Sequence, residues 1–287
     1  MPFVFIVIVN WNGKVDLLEC LASLKSSDYP KDRYSIVVVD NGSSDGSQAA
    51  IAREHPDATL LKNTKNIGYV MAANQGIVYA LDSGADYVWV LNNDVSVNKD
   101  TLSRLVAIGE KDGKVGVIAP VIYSFQEPPR IENAGYKINF WTGQLKKLKI
   151  GRDIFADPAD RSADVDSILG CADLIRALVF KKIGYLREAY ELYFEETDFN
   201  VRARKAGYRV VVVKDACVKH RNASTMNRLI FRRAYLLLRN LFIFEVLNAE
   251  RRHLFVFIPY YFFIHIPWFL LRGCVYGIQV KLKCRFK

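Results

Sequence analysis

The stretch Tyr87-Val88-Trp89-Val90-Leu91-Asn92-Asn93-Asp94-Val95 constrains this chain more than any other. Its apolar half reads as a strand buried on both faces, of the kind found in a parallel sheet covered by helices. The run then breaks abruptly into Asn92, Asn93 and Asp94. Open α/β sheets bind their ligands outside the carboxyl ends of the strands. A carboxylate flanked by amides at such an end suits a hard divalent cation that keeps waters and bridges to phosphate oxygens. A polar turn leading into a helix near Asp100 is the other reading, since Asn and Asp are ordinary turn residues.

Strand and helix signals alternate around that stretch. Residues 3–9 form a β-rich run ending in Asn10, Trp11, Asn12 and Gly13. Leu17, Leu18, Leu21 and Leu24 then mark one helix face, and residues 36–39 a second buried strand ending at Asp40-Asn41-Gly42. A short helix, a strand over 58–61 and a helix opened by Gly68, with Ala72, Ala73, Ile77 and Ala80 inward, lead to the central strand. Such alternation predicts an α/β fold, Rossmann-like, with a mostly parallel sheet and helices on both faces. Helix 100–111 and strand 115–119 continue it. Between 123 and 167 the periodicity fails, and the Pro and Gly spacing predicts loops and short antiparallel strands covering a cleft. Order returns at Gly170, with a short helix to Ile183, a helix from the Glu195 region to Ala206 and a strand over 210–213.

Composition removes several classes. The sequence has no G-x-G-x-x-G after its first strand and no G-x-x-x-x-G-K-[ST], so neither a nicotinamide dehydrogenase nor a P-loop NTPase is supported. A diphosphate would then have to be held through a metal, which points back to Asp94. The formal charge of +10 gathers after about residue 200, which argues for a basic face toward anionic lipid or phosphate and against a nucleic-acid binder. Cys20, Cys171, Cys217, Cys274 and Cys284 are widely spaced, without a C-x-x-C pair. Neither a zinc site nor a disulfide framework is indicated, and a reducing, cytoplasmic setting is expected. The first apolar run is too short for a signal peptide.

Three further groups could carry chemistry. Asp40 could accept a hydrogen bond from a base N–H or a ribose hydroxyl, as acidic strand ends do in dinucleotide folds, or simply form an Asx turn. Glu195, Glu196 and Asp198 crowd three carboxylates into one helical turn. They either favour the helix dipole or raise one another's pKa, as suits a general base. His220, with Ser224 behind it, is either a structural histidine or a second metal or phosphate contact.

In chain order these segments resemble a known family. Val7-Ile8-Val9-Asn10-Trp11-Asn12-Gly13 is similar to the opening strand of the family 2 glycosyltransferases of GT-A fold, and Val38 to Gly46 to their nucleotide-binding turn. Asn66-Ile67-Gly68-Tyr69 with Ala72-Ala73-Asn74-Gln75-Gly76 resembles their N-x-G-F…A-x-N-x-G block. Leu91-Asn92-Asn93-Asp94 resembles a variant of their D-x-D metal motif. Glu195-Glu196-Thr197-Asp198 with Arg202, Gly207 and Tyr208 resembles their E-D-x-D…R-x-x-x-G-Y block, and His220…Ser224 their closing motif. Arg233…Tyr235…Arg239-Asn240 is similar to a basic-aromatic stretch of the rhamnosyltransferase-like branch, the nearest one. Two departures stand out: Glu196 replaces the usual Asp, and Leu186-Arg187-Glu188 replaces F-D-E.

The resemblance implies an inverting, metal-dependent transfer of a sugar, rhamnose being the first choice, from a nucleotide-diphosphate sugar to a glycan or lipid-linked acceptor in cell-surface polysaccharide synthesis. Asp40, Asn10 and Asn12 would hold the nucleobase. Asn66 and Asn74 would contact ribose or diphosphate, beside the strand-end amides Asn92 and Asn93. Asp94 and His220 would bind Mg²⁺ or Mn²⁺. Glu196 is the first choice of base and Asp198 the second. A sugar-nucleotide-binding protein with weak catalysis, or a membrane-surface binding protein, is the alternative.

The expected organisation is a GT-A domain over 1–225 and a basic, aromatic helical region over 226–287. Residues 254–271 carry no Asp, Glu, Lys or Arg, which reaches the bare length of a spanning helix, about 18 residues. Pro259, His265 and Pro267 interrupt it and basic residues flank both sides. That predicts a broken, monotopic or re-entrant segment on the cytoplasmic face of the membrane. Helices packed on the catalytic domain are the other possibility.

Overall fold

The computed structural model describes residues 1–157, 159–221, 230–269 and 271. In order these form β1 (Val4–Asn10), α1 (Lys14–Lys25), β2 (Tyr34–Asp40), α2 (Ser47–Glu54), β3 (Thr59–Lys62), α3 (Tyr69–Asp82), β4 (Tyr87–Asn92), β5 (Val95–Val97), α4 (Thr101–Lys111) and β6 (Val115–Ser124). Then come β7 (Ile131–Asn133), β8 (Tyr136–Asn139), β9 (Gln144–Lys147), β10 (Ser162–Asp164), β11 (Ala172–Arg176), α5 (Ala177–Ile183), α6 (Glu195–Lys205), β12 (Arg209–His220), α7 (Ile230–Asn248) and α8 (Arg251–Tyr260). Ser224, Cys274 and Cys284 lie outside the described residues.

One sheet dominates, in the order β10-β12-β6-β11-β4-β1-β2-β3. Successive side chains of a strand point to opposite faces, and β4 shows the consequence. Tyr87, Trp89 and Leu91 enter one apolar layer with Leu17 and Leu21 of α1 and Leu102 and Leu105 of α4. Val88 and Val90 enter the other, with Val70 and Ile77 of α3 and Phe180 and Phe199 of α5 and α6. Helices therefore cover both faces, as the β4 run predicts. Each fully buried large side chain there contributes roughly 1.5–3 kcal/mol from removal of its surface from water.

The sheet is mixed where the alternation predicted parallel neighbours. β1 lies parallel to β2 and β4, but β11 enters between β4 and β6, antiparallel to both. A strand buried on both faces has the same apolar run whichever way it points, so the sequence carries no mark of its direction. β12 is also longer than residues 210–213. Its register with β6 slips between Val213 and Cys217, and beyond the slip it pairs with β5, His220 opposite Val95.

The aperiodic segment forms a cover: β7 on β6, β10 on β12, and the β8–β9 hairpin. The C-terminal helices pack on that hairpin and on α6. Phe244 of α7 lies between Phe140, 5.8 Å away, and Phe194, 5.5 Å away. Leu241, Phe257 and Tyr261 make a second small cluster. The apolar run from Leu254 continues α8 through a π-helical turn, Tyr261–His265. Phe257 and Tyr261 face inward while Phe255, Phe263 and Trp268 are exposed. Among the described residues no helix is long and apolar enough to cross a membrane.

Candidate active site

The registers Asn10 opposite Asp40 and Val9 opposite Asn92 align three strand ends at one edge of the sheet. A chain of amides joins them. Asn93 Nδ2 donates to Asn10 Oδ1 (2.9 Å), and Asn10 Nδ2 donates to Asp40 Oδ2 (3.1 Å). Asp40 Oδ1 accepts the Ser43 N–H (3.0 Å) and Gln48 Nε2 (2.7 Å). Asp40 is fully buried, and its carboxylate is held inside the protein by these three donors, the Ser43 N–H lying three residues on. Gln48 has no sequence signal of its own. Asn12, at φ 51°, accepts the Ser44 N–H at 2.8 Å and donates its own N–H to Ser43 Oγ at 2.9 Å. The loops after β1 and β2 are thereby one unit. Gly13 is required beside it: a Cβ there would stand 2.3 Å from Asn93 Nδ2.

The Asn66 and Asn74 pair has a different place from the one the motif implies. Asn66 Oδ1 accepts from Asn41 Nδ2 (3.1 Å) and the Gly68 N–H (2.9 Å), shaping the turn before α3. Asn74 is turned to the protein. Its amide grips the backbone of Leu186, donating at 2.9 Å and accepting at 3.2 Å. That clamp joins α3 to the segment before α6 and occupies the group assigned to ribose or diphosphate.

Asp94 is 6% exposed, and its Oδ1 lies 3.3 Å from His220 Nε2. The β5–β12 pairing makes this approach, and Arg221 secures it by donating its N–H to the Asp94 carbonyl (3.1 Å) and its guanidinium to Asp16 (2.9 Å). His220 Nδ1 is buried without a hydrogen bond, Glu132 being 3.8 Å off. Among the described residues no group of three or more His, Cys, Asp or Glu could hold a metal. A carboxylate oxygen and an imidazole nitrogen that converge fit a cation whose remaining positions are filled by water and phosphate oxygens.

The carboxylates opposite form the second half of the site. Glu195 and Glu196 open α6, and Asp173 of β11, which the sequence reading passed over, faces them across a cavity of about 20 Å³ that Tyr69 also lines, room for one water. Asp173 Oδ1, Glu195 Oε2 and Glu196 Oε2 are all buried without a hydrogen-bond partner. Burial, and then the neighbouring Glu196 charge, pushes Asp173 and Glu195 well above the carboxylate range. Burial also raises Glu196, against backbone N–H donors that favour its ionised form. Gly170 leaves it space, since a Cβ there would meet the Glu196 side chain at 2.9 Å. Strand pairing brings the two halves near each other: Asp173 of β11 stands opposite Val90 of β4, and the Tyr69 hydroxyl lies 3.5 Å from Asn92 Oδ1.

Asp198 does not belong to this group, which corrects its choice as second base. It is fully buried. Its Oδ1 accepts from Arg187 (2.7 Å), Tyr190 (3.1 Å) and Asn248 (2.9 Å), and its Oδ2 from Arg202 (2.7 Å). A carboxylate so saturated holds the fold and has no way to reach an acceptor hydroxyl. Asp198→Asn is expected to cost roughly 1.5–3 kcal/mol of stability, the scale of hydrogen bonds to a charged group, because it neutralises a buried acceptor of four donors while Arg202 keeps the Ile183 and Tyr185 carbonyls. Chemical denaturation checks this; unchanged stability with abolished turnover would return Asp198 to the chemistry. Next to it, Glu191, Tyr193 and Phe194 adopt φ of 63°, 69° and 71°. Such conformations in non-glycine residues cost on the order of 1–3 kcal/mol each and cluster at functional sites.

Comparison with known proteins bears on this geometry. The chain is 27% identical over 248 residues to N-acetylglucosaminyl-diphospho-decaprenol L-rhamnosyltransferase of Mycobacterium tuberculosis, covering 78% of this chain and 77% of that protein. It is 30% identical over 208 residues to the low-salt glycan biosynthesis hexosyltransferase Agl10 of Haloferax volcanii, covering 68% and 64%. Its fold matches that of the mannosyltransferase PcManGT of Pyrobaculum calidifontis, solved in complex with GDP-Man and Mn²⁺. The TM-score is 0.66 at 20% identity, over 96% of this chain and 73% of that one. Residues 5–160 match the family model described as glycosyl transferase family 2. The chain is a glycosyltransferase of GT-A fold and belongs to glycosyl transferase family 2.

Proposed function

We propose that this protein transfers a sugar, with inversion, from a nucleotide-diphosphate donor to a lipid-linked acceptor, and that it does so with a divalent cation. The observation that carries this reading is the nearness of the Asp94–His220 pair, just beyond β4, to the buried carboxylates Asp173, Glu195 and Glu196 around a cavity at β11, the strand paired with β4. Asp94 and His220 would hold Mg²⁺ or Mn²⁺. When bound, the cation neutralises charge on the leaving diphosphate. The joined loops after β1 and β2 present the nucleotide-binding edge. Glu196, with one oxygen unpartnered, takes the proton from the acceptor hydroxyl as that oxygen attacks the anomeric carbon. A groove of about 240 Å³ lined by Gly68, Met71, Glu188, Glu191 and Arg239 adjoins Tyr69 and gives the acceptor its approach.

The mycobacterial relative's name, with its diphospho-decaprenol acceptor and rhamnose, supports a polyprenyl-type acceptor and rhamnose from a thymidine nucleotide as the first donor to try. A panel of thymidine-, uridine- and guanosine-diphosphate sugars, screened by thermal shift with Mn²⁺, tests the donor. Binding of none of them would overturn the reading, and binding without transfer would favour a sugar-nucleotide-binding protein.

The C-terminal helices supply a docking face for the cytoplasmic side of a membrane. Phe231, Phe255 and Phe263 are 91%, 82% and 81% exposed, beside the basic Arg232, Arg233, Arg251 and Arg252. Apolar side chains framed by arginine suit the headgroup boundary of anionic lipid. Phe255→Ser with Phe263→Ser is expected to weaken binding to anionic vesicles by at least tenfold, since each fully buried Phe contributes about 1.5–3 kcal/mol. Tm should be unaffected because neither ring packs in the protein. Vesicle sedimentation checks it, and wild-type binding by the double variant would sink the membrane assignment.

A further inference from the structure

Glu195 and Glu196 are delivered by a turn that the local sequence does not favour. Glu191, Tyr193 and Phe194 all take positive φ, at 63°, 69° and 71°, and none is glycine. A backbone of this kind persists only where its surroundings over-determine it. The determinant lies about 50 residues further on, in α7. Asn240 is fully buried. Its Nδ2 lies 2.8 Å from the carbonyl oxygens of Tyr190 and Leu192 and 2.9 Å from that of Tyr193. Its Oδ1 accepts from the Arg239 guanidinium at 2.9 Å, which fixes the orientation of the amide.

Residues spaced by four share a helix face, and the stripe continues. Phe244 packs on Phe194, the last residue of the turn. Asn248 donates to Asp198 Oδ1 at 2.9 Å and accepts Lys205 Nζ on its carbonyl at 2.6 Å, gripping both ends of α6. Three contacts on one face of α7 thus hold the strained turn, its exit and the helix that carries the base.

We propose that Asn240 is a positioning residue for transfer: it holds the Tyr190–Phe194 turn in its left-handed course, and so sets where Glu196 stands against the acceptor. This makes α7 part of the active site, although the matched family model ends at residue 160. The inference rests on the glycosyltransfer reading with Glu196 as base. An aliphatic residue of similar volume cannot donate, and would take this donor from the Leu192 and Tyr193 carbonyls and leave Tyr190 only the Leu192 N–H.

The test is Asn240→Leu in the full-length chain, beside Leu102→Ala, a buried position in α4 on the other face of the sheet. Two readouts are used: steady-state transfer with donor affinity measured separately, and amide hydrogen exchange across residues 190–198. Asn240→Leu should lower kcat about 10- to 100-fold, the scale of a misplaced catalytic group, with donor Kd unchanged and exchange in 190–198 accelerated. Leu102→Ala should lose Tm while keeping kcat and that protection. Wild-type kcat in Asn240→Leu, or an equal loss of kcat in Leu102→Ala at matched Tm, would overturn the proposal. If the wild-type protein transfers no sugar, the functional reading fails by itself and the exchange arm still decides: unchanged protection in Asn240→Leu overturns the clamp, and accelerated exchange upholds it.

Discussion

Glu196→Gln is expected to leave donor affinity intact while turnover falls by roughly 10²–10⁴, the usual contribution of a positioned general base. The amide keeps the size of the side chain and a hydrogen-bonding oxygen, so the cavity with Asp173 and Glu195 stays filled. It removes only the capacity to take a proton. The pH dependence follows in sign. Burial raises the Glu196 carboxyl above its ordinary range, so the ionised base is populated only above that raised value, and kcat/KM should climb with pH through it. Stability should run the other way. Asp173, Glu195 and Glu196 bind protons more tightly folded than unfolded, so their contribution is complete below the ordinary carboxylate range. It declines as pH rises through their raised values. The Gln variant lacks one of the three groups and should show a shallower decline. A variant with wild-type turnover would remove Glu196 from the chemistry, and a pH–rate profile flat across the acid range would do the same.

Most of the frame was legible because it rests on periodicity. Apolar runs ending in Asn10, Asp40 and Asn92 give strands, and strands joined by helices give a sheet whose polar ends gather at one edge. Asp94 beside His220 was legible only through the family resemblance, not from periodicity or spacing. What joins them is a register slip in β12 and a three-residue strand, β5, and neither leaves a pattern in composition. Asp173 escaped notice because a single acid inside an apolar strand reads as an exception to that strand, and only the fold sets it against Glu195 and Glu196. Asp198 misled for the opposite reason. It stands two residues after Glu196, which turns its side chain about 200° further round the helix, given 3.6 residues per turn. That is enough to carry it from the cavity into the grip of Arg187 and Arg202. The C-terminal helices show the same limit. Their apolar run fits lipid and protein equally well, and the structure divides it, with Phe257 and Tyr261 inward and Phe255 and Phe263 outward.

Asp94→Ala should remove nearly all transfer, roughly 10³-fold or more, if a cation at this position supplies the several kcal/mol of charge stabilisation expected of a metal on a departing diphosphate. Among the described residues no cluster of three or more acidic, histidine or cysteine side chains could hold a metal, and Asp94 Oδ1 lies 3.3 Å from His220 Nε2. Losing one of the two proposed protein ligands should abolish the Mn²⁺-dependent part of donor binding as well as turnover. The metal-independent part, made by the joined loops at Asn12, Asp40 and Ser43, should persist. Thermal shift with donor alone, with Mn²⁺ alone and with both separates these contributions without reference to activity. Folding should be little changed, since Asp94 lies in the turn after β4, whose core residues Tyr87, Trp89 and Leu91 are untouched. His220→Ala should lie between, weakening the Mn²⁺ response without erasing it. An Asp94→Ala protein that kept wild-type turnover with Mg²⁺ or Mn²⁺ would place the metal elsewhere, or remove it from the reaction.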